Sequence, residues 1–125
     1  MSSVQRYEDL VAWQRARELT RLIYEATRQP LFARDFRLID QIRAASVSIM
    51  SNLAEGFERG SSADFLRFVY FAKGSCAEVR SQLYVALDAG YLNDDEFATL
   101  KASADEVARV IGGLRSAMER KKSTK

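Results

Sequence analysis

Carboxylate, amide and hydroxyl side chains recur at helical spacing in two adjacent stretches of the sequence, and these residues have the clearest chemical potential. Ser48, Asn52 and Glu55 share one polar line, and Ser75 and Glu78 share another. If the two lines meet, Glu55 and Glu78 could pair as carboxylates that bind a metal ion or exchange a proton. The alternative is an interhelical hydrogen-bond network that fixes the register of the helices. We favour the network, and we predict a structural role for Asn52, Glu55, Ser75 and Glu78.

Other routes to catalysis find little support in the sequence. The chain has no histidine, so it cannot supply the Glu-x-x-His pairs of di-iron bundles, a histidine-based triad or a histidine zinc ligand. The single cysteine, Cys76, has neither a histidine to activate it nor a second cysteine to resolve it. We therefore expect no enzymatic activity, no metal and no cofactor.

One face of the first predicted helix is a candidate nucleic-acid surface. Arg17, Arg21 and Arg28 fall within about 40° of one another on a helical projection, and Tyr24 lies on the same face. Arginine can grip phosphates and tyrosine can stack on an unpaired base. Two glutamates flank this face, and the alternative is a solvated surface held by ion pairs such as Arg21 to Glu25.

The third predicted helix is apolar over more of its circumference than one bundle stripe requires. Its first turns carry apolar side chains over roughly 260°, from Phe65, Leu66, Phe68, Val69, Tyr70 and Phe71. Either neighbouring helices cover this helix on all sides, or its outer side meets another subunit. We predict a subunit contact at four of these side chains: Leu66, Phe68, Tyr70 and Phe71.

These residues lie on helices that the apolar periodicity predicts at about 7–28, 35–58, 62–89 and 94–120. Pro30 ends the first helix, the Ser61 hydroxyl can cap the third, and Gly90 can take the left-handed conformation that ends it. Gly56 and Gly74 lie inside helices, where glycine costs about 1 kcal/mol relative to alanine, so they indicate close backbone approach or a bend. Four helices with short links predict an all-α, antiparallel up-down-up-down four-helix bundle.

Length and charge set the remaining expectations. A chain of 125 residues fits one domain, and a formal charge of +2 provides no overall basic excess for nucleic acid. The N-terminal segment MSSVQRYEDL has no apolar run resembling a signal peptide, and no apolar run approaches the roughly 20 residues of a membrane span. A lone cysteine in an apolar helical pattern suits a reducing compartment. We expect a soluble cytoplasmic protein without a membrane partner.

Several short motifs, taken in order, carry a family resemblance. They are Tyr7-Glu8-Asp9-Leu10 with Trp13, Gln41-Ile42-Arg43, Ser51-Asn52-Leu53-Ala54-Glu55-Gly56, Phe65-Leu66, Gly74-Ser75 with Glu78, Gln82-Leu83, and Gly90-Tyr91-Leu92. Their order and spacing resemble the signature of the bacterial four-helix bundle proteins, also called ribosomal RNA intervening-sequence proteins. The resemblance covers essentially the whole chain.

The resemblance implies an all-helical subunit of a ring-shaped homopentamer, and a link to reading frames within intervening sequences of large-subunit ribosomal RNA genes. A related member, the accessory variability determinant of diversity-generating retroelements, forms a basic pentamer that binds nucleic acid and a reverse transcriptase. The near-neutral charge of this chain departs from that pattern.

Two functional hypotheses follow from the sequence. The leading one is a non-enzymatic oligomeric bundle that acts as a binding or scaffolding module. The second is an accessory protein that binds RNA or another nucleic acid through the Arg17, Arg21, Tyr24 and Arg28 face. The candidate partners are thus further copies of the chain, RNA or DNA, or another protein.

Overall fold

The computed structural model describes residues 4–123, with side chains through residue 121. Four α-helices make up most of this part of the chain: α1 Val11–Thr27, α2 Phe36–Glu58, α3 Ser62–Asp88 and α4 Asp94–Ser123. Short 3-10 turns at Tyr7–Asp9 and Phe32–Arg34 precede α1 and α2. No strand occurs between residues 4 and 123, so the predicted all-α class is confirmed.

Each helix packs against the next one in the chain, and α1 also packs against α4. In every pair, contacts that step forward along one helix step backward along the other, which makes the neighbours antiparallel. The contacts are Thr20 with Ser46 and Thr27 with Arg43, Ser48 with Ser75 and Gly56 with Phe68, Arg80 with Asp105 and Tyr84 with Phe97, and Arg15 with Glu106 and Gln29 with Glu96. The four helices therefore run up, down, up and down in a four-helix bundle.

The core lies along the axis between the four helices. Each helix contributes aliphatic side chains at steps of three and four residues, the spacing that keeps them on one face. The largest fully buried ones are Leu19 and Ile23 of α1, Ile42, Ile49 and Leu53 of α2, Val69, Val79 and Leu83 of α3, and Val107 and Ile111 of α4. These branched side chains fill the centre, and charged residues stay at its edges.

Side-chain caps fix where three of the helices begin. Asp35 Oδ1 accepts a hydrogen bond from the Leu38 amide at 3.1 Å, and Ser61 Oγ accepts one from the Asp64 amide at 3.1 Å. Asn93 and Glu96 exchange two 2.8 Å bonds at the start of α4. Each cap satisfies backbone amides that the first turn of a helix leaves without a partner.

The first helix begins later than the sequence predicts. Instead of continuing from Tyr7, the chain forms the 3-10 turn Tyr7–Asp9 and then becomes extended at Leu10, whose ψ is 124°. This bend directs Leu10 into the core, where it is buried. The ring of Tyr7 then meets Trp13 edge-on at 5.3 Å. The predicted start at residue 7 is corrected to Val11 for this reason.

The two interior glycines that stood out in the sequence have different surroundings. A Cβ at Gly56 would lie 2.5 Å from Phe68 Cβ and 3.2 Å from Phe65 Cδ1, so the side chains of α3 pack directly against the backbone of α2 there. A Cβ at Gly74 would meet nothing within 4 Å. Of the two predicted reasons for a glycine, close approach of a neighbouring helix is present at Gly56 and absent at Gly74.

Candidate functional site

The polar lines of α2 and α3 meet at one hydrogen-bonded group. The hydroxyls of Ser48 and Ser75 are 2.9 Å apart, and either can donate. Asn52 Nδ2 donates to the Ser48 carbonyl at 2.9 Å and to its hydroxyl at 3.0 Å. Because Ser75 is buried, its hydroxyl needs a partner from the neighbouring helix. This group links Asn52 and Ser75 through Ser48 and sets the register of α2 against α3.

The two glutamates of the predicted network lie outside it. Glu55 is exposed and accepts a 2.9 Å hydrogen bond from Arg59 on its own helix. Glu78 is exposed on α3 and makes no hydrogen bond or ion pair with other residues that the structure describes. The predicted network is thus corrected at these two positions, because their side chains point into water instead of into the α2–α3 contact.

The described part of the chain has no cluster of side chains suited to binding a metal ion and no activated thiol. Its cysteine, aspartate and glutamate side chains form no group of three or more that could hold a metal ion. The Cys76 thiol is buried and donates weakly to the Ala104 carbonyl, with Sγ and O 3.5 Å apart. Burial raises the pKa of Cys76 from 9.0 to about 11. A thiol of this kind stays protonated at neutral pH and is a poor nucleophile.

The central arginine of the candidate nucleic-acid face is bound by its own helix. Arg21 Nη2 lies 2.6 Å from Glu18 Oε2, and Arg21 Nη1 lies 2.6 Å from Glu25 Oε2. The hydrogen bond from Arg21 lowers the pKa of Glu18, and the same bond raises the pKa of Arg21. Two carboxylates therefore form ion pairs with the Arg21 guanidinium, as the alternative of a solvated surface held by ion pairs predicts.

That face of α1 also contacts an arginine of α2 that the sequence reasoning missed. The guanidinium of Arg43 lies 4.4 Å from the centroid of the Tyr24 ring, and its Nε donates to Thr27 Oγ1 at 2.9 Å. Arg17 lies 5.8 Å from the Trp13 ring centroid, and Arg28 is exposed. No pattern within α1 could have identified Arg43, because its place beside Tyr24 depends on how α1 and α2 pack.

The four side chains predicted to contact another subunit have four different environments. Phe68 is only 7% exposed and packs beneath the backbone of Gly56, which removes it from any outer contact and corrects that prediction. The Tyr70 hydroxyl donates to Glu119 of α4. Leu66 is partly buried and lines an apolar cavity at one end of the bundle. Phe71, which is 48% exposed, points outward.

Phe71 and Val85 are exposed apolar side chains on one side of α3, and the exposed Glu78 lies between them. Val85 is 51% exposed, and its position 14 residues later on a helix places it within roughly 40° of Phe71. Gly74 lies between them and leaves open space. Of the eight large apolar side chains exposed in the described residues, four lie on α3: Tyr70, Phe71, Tyr84 and Val85. We call Phe71, Gly74 and Val85 the outer face of α3.

One protein family matches most of this chain. A family model described as 23S rRNA-intervening sequence protein matches residues 8–113. The chain belongs to this family. The match covers most of the chain and confirms the family resemblance that the sequence motifs carry. None of the functionally curated proteins matches the sequence.

A solved structure supports the fold of this family member. The crystal structure of a protein of unknown function from the S23 ribosomal protein family of Bacteroides thetaiotaomicron VPI-5482 is similar, with a TM-score of 0.77 and 18% sequence identity. The similarity covers 84% of this chain and 98% of that one. At this identity the likeness concerns the fold alone. No helix within residues 4–123 has both the length and the apolarity that crossing a membrane requires.

Proposed function

We propose that this member of the 23S rRNA-intervening sequence protein family is a non-enzymatic helical scaffold that works as a ring-shaped homo-oligomer, with five subunits as the resemblance implies. The observation that carries the proposal is the outer face of α3, where Phe71 and Val85 are about half exposed on one side of a helix. Half of the exposed large apolar side chains among the described residues lie on α3, and a concentration of exposed apolar surface is a frequent sign of protein contact. The absence of a histidine and the buried, protonated Cys76 thiol support a role without catalysis. We assign it to the cytoplasm, because its one cysteine is a free thiol.

Light scattering after size exclusion tests the assembly. For a subunit of 14.1 kDa, a ring of five predicts a mass of about 70 kDa. We expect the double substitution Phe71→Arg and Val85→Arg to give monomers, because assembly would then bury unpaired charges. Val11→Arg is the matched control, since Val11 is equally exposed but lies on α1. A wild-type chain that stays monomeric at micromolar concentration would contradict the proposal.

A second candidate function, nucleic-acid binding, is favoured by Arg43. Among the described residues Arg43 has no carboxylate partner, and it lies over Tyr24, which is about one helical turn before the exposed Arg28. Arg17 extends this positive surface along α1. A guanidinium stacked on a ring can still direct N–H groups at phosphate, and a ring assembly would repeat the patch in every subunit.

Fluorescence anisotropy with a single-stranded RNA tests this function across a range of salt concentrations. Removing two phosphate contacts with Arg17→Ala and Arg28→Ala should reduce the slope of log K against log salt by about 1.4. The control removes two exposed positive charges elsewhere, with Lys73→Ala and Arg109→Ala. Equal slopes for the two double variants, or binding that does not respond to salt, would exclude the α1–α2 surface.

A further inference from the structure

Opposite charges lie side by side at the end of the bundle that carries two of its links, from α1 to α2 and from α3 to α4. Tyr91 and Asp35 join the two links there through a 2.9 Å hydrogen bond. Exposed arginines lie on or beside the first link: Arg28, Arg34 and Arg37. Exposed aspartates lie beside the second link: Asp88, Asp94 and Asp95. We call this surface the link end, and it has a basic half and an acidic half.

These six charged groups are not used by contacts within the described part of the chain. None of them forms an ion pair or a side-chain hydrogen bond there. Two other carboxylates of the link end are already engaged. Asp35 accepts from Tyr91 and caps α2, and Glu96 accepts from the Gln29 side chain and the Asn93 amide. The six outer charges are therefore available to another molecule.

Two of these charges oppose the dipole of their own helix. Arg37 lies in the first turn of α2, which has no acidic residue. Asp88 ends α3, whose last turn has no basic residue. Each side chain thus lies beside helix-terminal partial charges of its own sign, and this placement costs stability. Local helix preference does not explain the two residues, whereas opposite charges on a second molecule would.

Exposed apolar side chains accompany the basic half. Phe36 is 76% exposed, more than any other large apolar side chain among the described residues, and Leu31 is 51% exposed. The Cα–Cβ bonds of a helix tilt toward its N-terminus, so Phe36, the first residue of α2, leans toward the link end. Aromatic side chains and arginine are both enriched in protein–protein contacts. The composition of this surface therefore favours a protein partner.

The link end is complementary to itself. The basic half belongs to α1, α2 and their link, and the acidic half belongs to α3 and α4, so the boundary between the halves crosses the end of the bundle. A two-fold axis along that boundary places the basic half of each copy on the acidic half of the other. A nucleic acid or an acidic peptide matches only the basic half and is repelled by the acidic half. A second copy of this chain matches both.

One link end is too small to hold two isolated subunits together. With helices about 10 Å apart, the end of a four-helix bundle covers roughly 400 Å², so two ends bury roughly 800 Å² in total, less than the roughly 1,200 Å² of a stable interface. The proposed ring changes this, because subunits that meet through the side of α3 present the same end on one side of the ring. Five such contacts act together, and their combined affinity far exceeds that of one.

We propose that two rings of this protein pair through their link ends, with the basic half of each subunit against the acidic half of a subunit in the opposite ring. The inference rests on the proposed ring and adds a second kind of contact to it. The outer face of α3 associates by burying apolar surface, whereas the link ends associate mainly through charge pairs. Salt therefore separates the two contacts, because it screens the charge pairs.

Light scattering after size exclusion at two salt concentrations tests the pairing. Charges are screened beyond about 4 Å in about 500 mM sodium chloride and beyond about 20 Å in about 20 mM. For a subunit of 14.1 kDa, we expect about 70 kDa at the higher concentration and about 140 kDa at the lower. A mass of about 70 kDa at both would overturn the pairing and leave the ring intact. The mass of one subunit at both would contradict the ring and the pairing together.

Charge reversal identifies the surfaces. Arg34→Glu with Arg37→Glu makes both halves of the link end acidic, and Asp88→Arg with Asp94→Arg and Asp95→Arg makes both halves basic. In low salt each variant alone should stay at about 70 kDa, because like charges then face each other. An equimolar mixture of the two should return to about 140 kDa. A mixture that stays at about 70 kDa would overturn the assignment of these surfaces.

A matched control separates the position of the charges from their number. Arg109→Glu with Arg120→Glu makes the same change in net charge at exposed positions of α4 away from the link end, and this variant should still pair in low salt. Arg37→Glu and Asp88→Arg each remove an unfavourable contact with a helix dipole, so these two changes should not lower the urea midpoint. Circular dichroism checks the fold of each variant. Pairing that persists in the folded Arg34→Glu, Arg37→Glu variant would overturn the proposal.

Discussion

Gly56→Ala is expected to lower the free energy of unfolding by about 2 kcal/mol, although alanine is the better helix former. The added methyl group would lie 2.5 Å from Phe68 Cβ. Because Phe68 Cβ is fixed to the α3 backbone, no rotation of a side chain relieves this contact, and the helices must separate. Overpacking of this kind costs about 1 to 3 kcal/mol, and the helix propensity of alanine offsets up to about 1 kcal/mol of it. Urea denaturation monitored by circular dichroism measures the difference.

Gly74→Ala is the matched control for that experiment. The substitution is chemically identical and also lies inside a helix, but a Cβ at Gly74 meets nothing within 4 Å. We expect it to raise the free energy of unfolding by up to about 1 kcal/mol. If both variants shift stability in the same direction by similar amounts, the close approach of α2 and α3 is not the reason that alanine is unfavourable at position 56.

Phe32→Ala is expected to have the largest effect on stability, a loss of about 3 to 5 kcal/mol. Phe32 is fully buried, and its ring stacks on Tyr91 with centroids 5.1 Å apart. The Tyr91 hydroxyl donates to Asp35 Oδ2 at 2.9 Å, and this bond raises the pKa of Tyr91. The other oxygen of Asp35 caps α2 at Leu38. Removing the Phe32 ring thus leaves a cavity and also loosens the side chains that hold the start of α2.

Phe36→Ala removes the same ring four residues later and serves as the control. Phe36 is 76% exposed, and substitutions at such positions usually change stability by less than about 0.5 kcal/mol. Urea denaturation of the two variants should be measured at the same protein concentration, because self-association makes the apparent free energy of unfolding depend on concentration. A loss for Phe36→Ala as large as that for Phe32→Ala would show that Phe36 is covered in the protein in solution.

The positions of the helices could be predicted largely because their signals are local. A proline, a capping hydroxyl and a glycine with positive φ each act on the residues beside them, so Ser61 and Gly90 have the roles that their types indicate. The start of α1 was less predictable. The amphipathic pattern continues through Tyr7, but the extended backbone at Leu10 follows from burying that side chain against other helices.

The candidate site shows the same division between local and tertiary information. Helical spacing placed Asn52 and Glu55 on one polar line, but a projection of one helix does not say which residues of that line the next helix covers. In the structure Asn52 reaches Ser48 beside Ser75, while Glu55 turns to Arg59. The two positions lie about 60° apart around α2, and this difference separates a half-buried polar group from a solvated one.

The sequence by itself determined the all-α class, the four helices and the family, because periodicity, caps and motif order are properties of the chain read in one dimension. Tertiary structure alone decided which glycine lies against a neighbouring helix and that Arg43 covers Tyr24. The physical reason is that each of these depends on the relative lengths and rotations of helices in contact. Packing, rather than local preference, fixes those quantities.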